Sequence, residues 1–314
     1  MKKILLNGVS GNLGRRAAAA LMEKLPAEAL VFASSSAESL RPYAEKGIGT
    51  VVINYNQPET IPADLGGADT AIMISVPFVG PKRRVAHKNA VDAMVKGGIR
   101  RIVYTSICGA GDPTIDTYEV NDHVWTEAYI RESGMKWLFL RNSQYIEAMV
   151  SSYLEADENT GGVLSNNMGE GRMAFISRDD CAVAAACAAL SDLEDQVLNI
   201  NGAELLNMAE FCAIANRATG KSVTYRAVSD EENYAFFDSI GVPRTTEEMW
   251  ADSAKNFPYC SDGMISFGRA LRQGQMSTFT DDFQKLVGRS PITVFEAFSD
   301  IRNHLVGQRV STDQ

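Results

Sequence analysis

The stretch Lys3-Ile-Leu-Leu-Asn-Gly-Val-Ser-Gly-Asn-Leu-Gly14 decides the fold. It opens as a short apolar run, passes into Gly8-x-x-Gly11-x-x-Gly14, and leads into a helix-forming segment from Arg15 to Met22. A strand feeding a glycine turn that opens a helix is how a chain holds a dinucleotide pyrophosphate. Gly8 permits the tight turn, Gly11 lets the backbone approach the phosphates, and Gly14 lets helix and strand pack closely. The helix N-terminus adds unpaired N–H groups and positive dipole charge. Three glycines alone say little. Between a strand and a helix they indicate a dinucleotide site.

Outward from this turn, short apolar runs alternate with helical patterns. Strands are expected at Ile4–Asn7, Leu30–Ala33, Val51–Ile53, Thr70–Ser75, Ile102–Ser106, Trp137–Leu140 and Val197–Ile200, with helices at Arg15–Lys24, Ser39–Glu45, Val85–Lys96, Val120–Arg131 and Asp180–Leu190 between them. Continuously apolar strands separated by helices indicate a parallel sheet covered on both faces. The expected fold class is therefore α/β, a doubly wound parallel sheet of Rossmann type, with ligands at the C-terminal strand ends. Past residue 202 the rhythm turns helical, at Asn207–Thr219, Glu231–Ile240, Thr246–Asn256, Asp281–Val287 and Val294–Leu305, with one short strand near Val223–Arg226. The turn-rich piece Glu158–Glu170 interrupts the sheet pattern. The expected division is a dinucleotide-binding domain over 1–150, continued by 172–202, and a smaller, mostly helical substrate lobe over 203–314 with 151–171.

The chain has 314 residues, 45% apolar and 22% charged, with a formal net charge of −9. That length supports a substantial core. The acidic balance argues against nucleic acid or an anionic membrane as partner. No apolar run approaches the ~20 residues of a membrane span, and the first strand is too short to be a signal peptide. The five cysteines, an odd number, show no C-x-x-C pair, which fits a reduced, cytoplasmic protein. Three histidines, His87, His123 and His304, form no ligand cluster, so no metal is expected. His87 reads as structural and remote from the cleft, His304 as a surface residue. A homodimer is compatible with the sequence but not dictated by it.

An acidic residue at the tip of the second strand would hold the ribose hydroxyls of NAD, whereas a nearby Arg favours NADP. Here that strand ends Val31-Phe-Ala-Ser-Ser-Ser-Ala-Glu38. No carboxylate stands at the tip to repel a 2′-phosphate, and Ser34, Ser35 and Ser36 could donate to one. Arg15, Arg16 or Arg41 could add charge. The reading leans to NADP, with NAD possible, since the serines could instead serve only to cap the next helix.

The fourth and fifth strands end Ile74-Ser-Val-Pro-Phe78 and Tyr104-Thr-Ser-Ile-Cys108. These ends should face the nicotinamide, with Ser75, Val76 and Pro77 against the cofactor and Phe78 as an apolar wall. Ser106 stands where short-chain dehydrogenases carry their serine. Their proton relay is a Tyr-x-x-x-Lys pair on one helix face. Here Tyr118 is followed at that spacing by Asp122, and Tyr129 by Ser133, so the relay is missing. His123, near the start of the helix after the fifth strand, could donate a proton or hold a substrate oxygen, or could simply be a packed helix histidine.

At these residues the chain resembles the NmrA-like atypical short-chain dehydrogenases. The likeness runs through Asn7–Gly14, Tyr55-Asn-Gln-Pro-Glu59, His87-x-Asn89 with Gly98–Ser106, His123-x-x-Thr-Glu127, Leu140-Arg-Asn-x-x-Tyr145 and, more weakly, Thr280–Gly288. Within that family the pattern is most similar to the bacterial NADPH-dependent quinone and triphenylmethane-dye reductases. That resemblance implies direct hydride transfer to a small, flat aromatic acceptor. It further implies that Val9, Ser10, Asn12 and Leu13 cradle the pyrophosphate and that Ser75, Val76, Pro77 and Asn142 border the nicotinamide. Tyr145 would lie near substrate, in an apolar cleft shared with Phe78, Ile107, Met149 and residues of the helical lobe. His123 falls where the related plant phenylpropanoid benzylic ether reductases keep a catalytic lysine. Ser35 stands where relatives carry a strand-tip Arg, and Asn54 where they carry an acidic residue. Two other readings stay open: a benzylic ether or ketone reductase with His123 as acid, and a dinucleotide-sensing regulator similar to NmrA that binds cofactor without turnover.

Overall fold

The computed structural model describes residues 2–247, 257 and 259–306. Its centre is a seven-stranded parallel sheet built from β1 (Ile4–Leu6), β2 (Leu30–Ser34), β3 (Gly49–Val52), β4 (Thr70–Met73), β5 (Arg101–Ile107), β6 (Lys136–Asn142) and β8 (Gln196–Ile200). The strand order is β3-β2-β1-β4-β5-β6-β8. β1 pairs with both β2 and β4, Ile4 standing opposite Leu30 on one side and Thr70 on the other. The chain therefore winds outward from β1 to β3, then returns to start again at β4. That reversal is the switch point at which ligands of such sheets bind. β1, β2 and β4 are buried at every position, which explains their unbroken apolar runs. β3 is an edge strand and mostly exposed.

Helices α1 (Asn12–Lys24), α2 (Ala37–Ala44), α3 (Pro81–Lys96), α4 (Tyr118–Glu132) and α6 (Arg178–Leu190) link and cover the strands. α1 packs on α6, and both supply buried alanines to one cluster, Ala17 and Ala18 from the first, Ala182, Ala185 and Ala186 from the second. Small side chains let the two backbones come close. Side-chain caps start three of these helices: Ser36 accepts from the Ser39 N–H, Thr117 from Val120 and Ser177 from Asp180. Arg101 is 5% exposed and donates to the carbonyls of Ala188, Ala189 and Leu193. A cation there satisfies the free carbonyls at the end of α6.

A second region contains α5 (Ile146–Asn159), β7 (Val163–Asn166), α7 (Met208–Thr219), β9 (Thr224–Ala227), α8 (Asp230–Ser239), α9 (Ser261–Arg272), α10 (Asp282–Val287) and α11 (Val294–Ser299). β7 and β9 pair as a separate two-stranded parallel sheet. A core of its own, with Tyr153, Phe211 and Phe298, lies behind α5 and α7. α10 departs from this pattern: it packs on α6 and β8, and its Phe283 joins the cluster beneath the large sheet.

The expected strands of the large sheet all form, within a few residues at their ends. The expected elements do not include α5, although Ile146, Met149, Val150 and Tyr153 repeat at helical spacing. β7 lies inside the turn-rich piece. α9 was hidden by Gly263 and Gly268, which weaken a helical signal; each is small because a neighbouring side chain crowds it, Glu119 and Asn167 respectively. The helix expected over 246–256 falls almost wholly outside the described residues.

Candidate active site

One cavity of about 550 Å³ runs across the C-terminal ends of the large sheet. On the β1–β2 side it is walled by the glycine turn. Gly8 takes φ +67°, the left-handed region that favours glycine. The Gly11 N–H closes the turn onto the Gly8 carbonyl at 2.9 Å. A Cβ on Gly14 would collide with that same carbonyl oxygen, so only glycine lets α1 begin here. Gly11 caps α1 without any side-chain bond, leaving the first helical N–H groups open to an anion. Gly8, Ser10, Gly11, Asn12, Leu13 and Gly14 all line the cavity. Val9 does not: its N–H bonds to the Ala33 carbonyl and its side chain is 2% exposed in the core. It anchors the turn to β2 from behind, a correction to the expected phosphate contact.

The serine tip of β2 divides. Ser34 and Ser35 line the cavity, and the Ser34 hydroxyl donates to Ser10 at 3.1 Å. Ser36 faces the other way as the cap of α2 and lines nothing. Arg15 reaches the wall, its guanidinium 2.5 Å from the Asn12 amide oxygen. Arg16 is committed to Asp179 and the Asn303 carbonyl, and Arg41 pairs loosely with Glu45 away from the cavity.

Beyond the switch point the wall is Ser75–Phe78, held down at successive amides. Asn7 Oδ1 accepts from the Ile74 N–H at 2.6 Å, Thr105 Oγ1 from Ser75 at 3.0 Å, and His87 Nε2 from Val76 at 3.1 Å. Accepting at Nε2 leaves His87 protonated at Nδ1, which then donates to Thr126 Oγ1 at 2.9 Å; Thr126 in turn donates to the Asp122 carbonyl. This chain assigns one tautomer. Burial first, and then the Arg83 charge, holds His87 well below the usual histidine range, which agrees with the neutral ring the geometry requires. His87 is thus fully buried against the Ser75–Val76 turn, not remote from the cleft as its sequence position suggested.

His123 lines the cavity and is 6% exposed, with Nδ1 2.7 Å from the Tyr104 hydroxyl. Burial, then Arg83 and His87, holds it well below the usual range. The ring is neutral near pH 7 and lacks the extra proton that an imidazolium acid needs. Ser106 lines the cavity too, but its hydroxyl donates to Glu127 Oε1 at 2.7 Å. That carboxylate also receives Arg141 through two bonds, at 2.9 and 2.7 Å, and Arg131 at 3.2 Å. Ser106 therefore belongs to a structural knot joining β5, β6 and α4. Phe78, Ile107, Asn142 and Tyr145 line the cavity. The Asn142 amide donates to the Tyr145 hydroxyl at 3.3 Å, while its Oδ1 is buried without a partner. Burial pushes the Tyr145 phenol upward, so it stays protonated. Met149 is 4% exposed in the second core and does not line the cavity.

Three charged lining residues escaped the sequence reading: Arg83, Glu119 and Arg178. Arg83 stands four residues before His87, and Glu119 four before His123, so each shares a helix face with a cavity histidine. That signal becomes readable only once the histidines are placed. The Arg178 guanidinium lies 4.6 Å over the Tyr145 ring. None of the described residues of 203–306 is among the lining residues; residues 248–256, where a lobe helix was expected, lie outside the described residues. His304 is buried, with Nδ1 3.2 Å from Glu147 Oε1, and is no surface residue. Glu147, His304 and Asp179 come within mutual ligand reach, but Arg178 and Arg16 already pair with the two carboxylates.

A family profile described as NAD(P)H-binding matches residues 8–192. Quinone oxidoreductase 2 of Escherichia coli (strain K12) is 27% identical over 302 residues, 96% of this chain and 99% of that protein. The crystal structure of an NADPH-dependent quinone oxidoreductase from Escherichia coli, complexed with NADPH, superposes with a TM-score of 0.83 at 25% identity, covering 95% of this chain and 99% of the other. Triphenylmethane reductase of Citrobacter sp., complexed with NADP(H), gives a TM-score of 0.78 at 27% identity over 95% and 99% of the two chains. Among the described residues no helix is long and apolar enough to cross a membrane. With a glycine turn at the switch point, one cavity across the strand ends and these likenesses, the chain belongs to the NAD(P)H-binding family and is an NAD(P)H-dependent oxidoreductase.

Proposed function

We propose that this oxidoreductase passes hydride directly from NADPH to a flat aromatic or conjugated acceptor, of the quinone or triphenylmethane-dye type. The observation that carries the reading is a cavity with the phosphate cradle on one side of the switch point and the apolar wall of Phe78 and Ile107 on the other. The names of the similar proteins from Escherichia coli and Citrobacter supply the acceptor class.

The residues present fit the dinucleotide. The Gly14 position has no room for a side chain, and the orphaned Asn142 Oδ1 offers an acceptor to a carboxamide N–H. Gly8, Ser10, Gly11, Asn12, Leu13 and Gly14 would hold the pyrophosphate. Ser34 and Ser35 with Arg15 would take a 2′-phosphate, the cation coming from α1 rather than from the strand tip. Ser75, Val76, Pro77 and Asn142 would border the nicotinamide. Phe78, Ile107 and Tyr145 would receive the acceptor. When bound, NADPH supplies the hydride; the chain itself would position both partners and holds the Val76 backbone through His87. The region 203–314 with 151–171 would act as the substrate-binding lobe.

The test is oxidation of NADPH, followed at its absorbance band, with a panel of quinones and triphenylmethane dyes. Turnover with members of both classes is expected. Tight NADPH binding without turnover across the panel would contradict the reading and favour a cofactor-sensing protein.

A further inference from the structure

Two buried groups on the cavity wall have no task in this reading. Arg83 is 7% exposed, yet its Nε and Nη1 make no hydrogen bond. Asp122 Oδ2 lies 3.9 Å from its Nη1, and Asp122 already accepts from the Gly80 N–H and Arg84. Glu119, in the first turn of α4, has its Oε2 buried and equally unpartnered. Both residues line the cavity. α9 closes over the carboxyl, and a Cβ at Gly263 would stand only 2.9 Å from Glu119 Oε1. Buried donors and acceptors are rarely left unpaired, and none of the described residues completes either group.

We propose that Glu119 delivers the proton to the oxygen of a carbonyl-type acceptor such as a quinone, and that Arg83 holds that oxygen. The proposal rests on the reductase reading above. Two-electron reduction of a quinone consumes one hydride, supplied by NADPH, and one proton. In this step the Glu119 O–H bond breaks, its proton forms the hydroquinone O–H, and the electron pair stays on the carboxylate beside Arg83. Solvent entering the cavity after product release restores the proton. Burial raises the Glu119 pKa above the ordinary glutamate value, its own backbone N–H and Arg83 oppose the rise, and Asp122 adds to it; the net shift is toward the protonated form that a proton donor needs. Around Glu119 stand His123 on α4, held well below the usual histidine range, and Cys260 at the start of α9, whose thiol burial pushes up to about 11; α9 also brings the carboxylate of Asp262, which acts on Cys260 and Tyr118. The dipole at the N-terminus of α4 favours the carboxylate once the proton has left.

The acceptors themselves provide the test. A quinone needs hydride and proton, whereas a cationic triphenylmethane dye becomes its neutral leuco form on gaining hydride alone. Glu119→Gln should lose about a hundredfold or more in quinone turnover and far less in dye turnover, with Glu119→Asp recovering part of the quinone rate. Native quinone turnover should fall as pH rises through the raised Glu119 pKa, and Glu119→Gln should lose that limb. A readout without turnover is the infrared spectrum of the cofactor-free protein at neutral pH, which should show a protonated-carboxyl band that Glu119→Gln lacks. The same raised pKa means that native stability declines relative to Glu119→Gln as pH rises past about 4.3, the unfolded-state glutamate value. Equal losses with both acceptors, no loss with either, or a missing carboxyl band would each overturn the proposal. A native protein that reduces neither acceptor would overturn the reductase reading instead.

Discussion

The two sides of the cavity are built by different means. On the β1–β2 side the wall is backbone: a left-handed glycine, a helix start without a side-chain cap, and a helix seated where no Cβ fits. Most of it comes from one short stretch, Gly8 with Ser10–Gly14. Beyond the switch point the wall is largely side chains brought from α3, α4, β5 and β6, several of them tied to partners distant in sequence, as His87 holds Val76 and Glu127 holds Ser106 and Arg141. On the proposed function, the first kind of wall would bind what every dinucleotide shares, and the second could change its acceptor without disturbing the first.

The contrast predicts a graded series. Gly14→Ala should be the most damaging change, because a methyl there strikes the Gly8 carbonyl and the backbone must move. A loss of at least about 4 kcal/mol in unfolding free energy, with loss of NADPH binding, is expected from denaturant titration and cofactor fluorescence; a native-like protein would refute the cradle. Next comes Glu127→Ala. Removing the buried carboxylate strands Arg141 and should cost about 3 kcal/mol, seen in thermal unfolding, while leaving cofactor affinity nearly intact in the molecules that remain folded. A selective loss of NADPH binding would mean that the knot shapes the cofactor wall after all. His87→Ala frees the Val76 amide and should raise KM for NADPH about tenfold, equivalent to about 1.4 kcal/mol, with little change in kcat; the reverse split would give His87 a direct role. The smallest effect belongs to the phosphate reader. Arg15→Ala should lower the NADPH-over-NADH preference about fivefold, worth about 1 kcal/mol, and Ser35→Arg should raise it. An unchanged ratio in both would place the reader elsewhere.

Legibility in the sequence follows the same divide. The cradle was readable because its information lies in the spacing of Gly8, Gly11 and Gly14, and the sheet was readable because strands buried on both faces are continuously apolar. The side-chain wall was legible only in part. Phe78, Ile107 and Tyr145 could be named from strand ends and resemblance, but Arg83 and Glu119 could not, since nothing in sequence says that a charged residue in a helix turns inward. Met149 and Val9 failed for a related reason: apolar side chains beside a cleft more often enter the core behind it. His123 was placed correctly at the cavity, yet its expected acid role depended on its surroundings, and those are buried and close to the positive charge of Arg83. β7 and α9 were invisible for want of pattern, one within a run of turn residues and the other carrying two glycines dictated by tertiary crowding.

The central claim is direct hydride transfer to the acceptor inside this cavity. It is tested most directly with NADPH deuterated at the transferable position of the nicotinamide and a cationic triphenylmethane dye as acceptor. The account predicts a leuco product carrying deuterium at its central carbon, for the native protein and for Glu119→Gln alike. A leuco product carrying only solvent hydrogen at that carbon would contradict it.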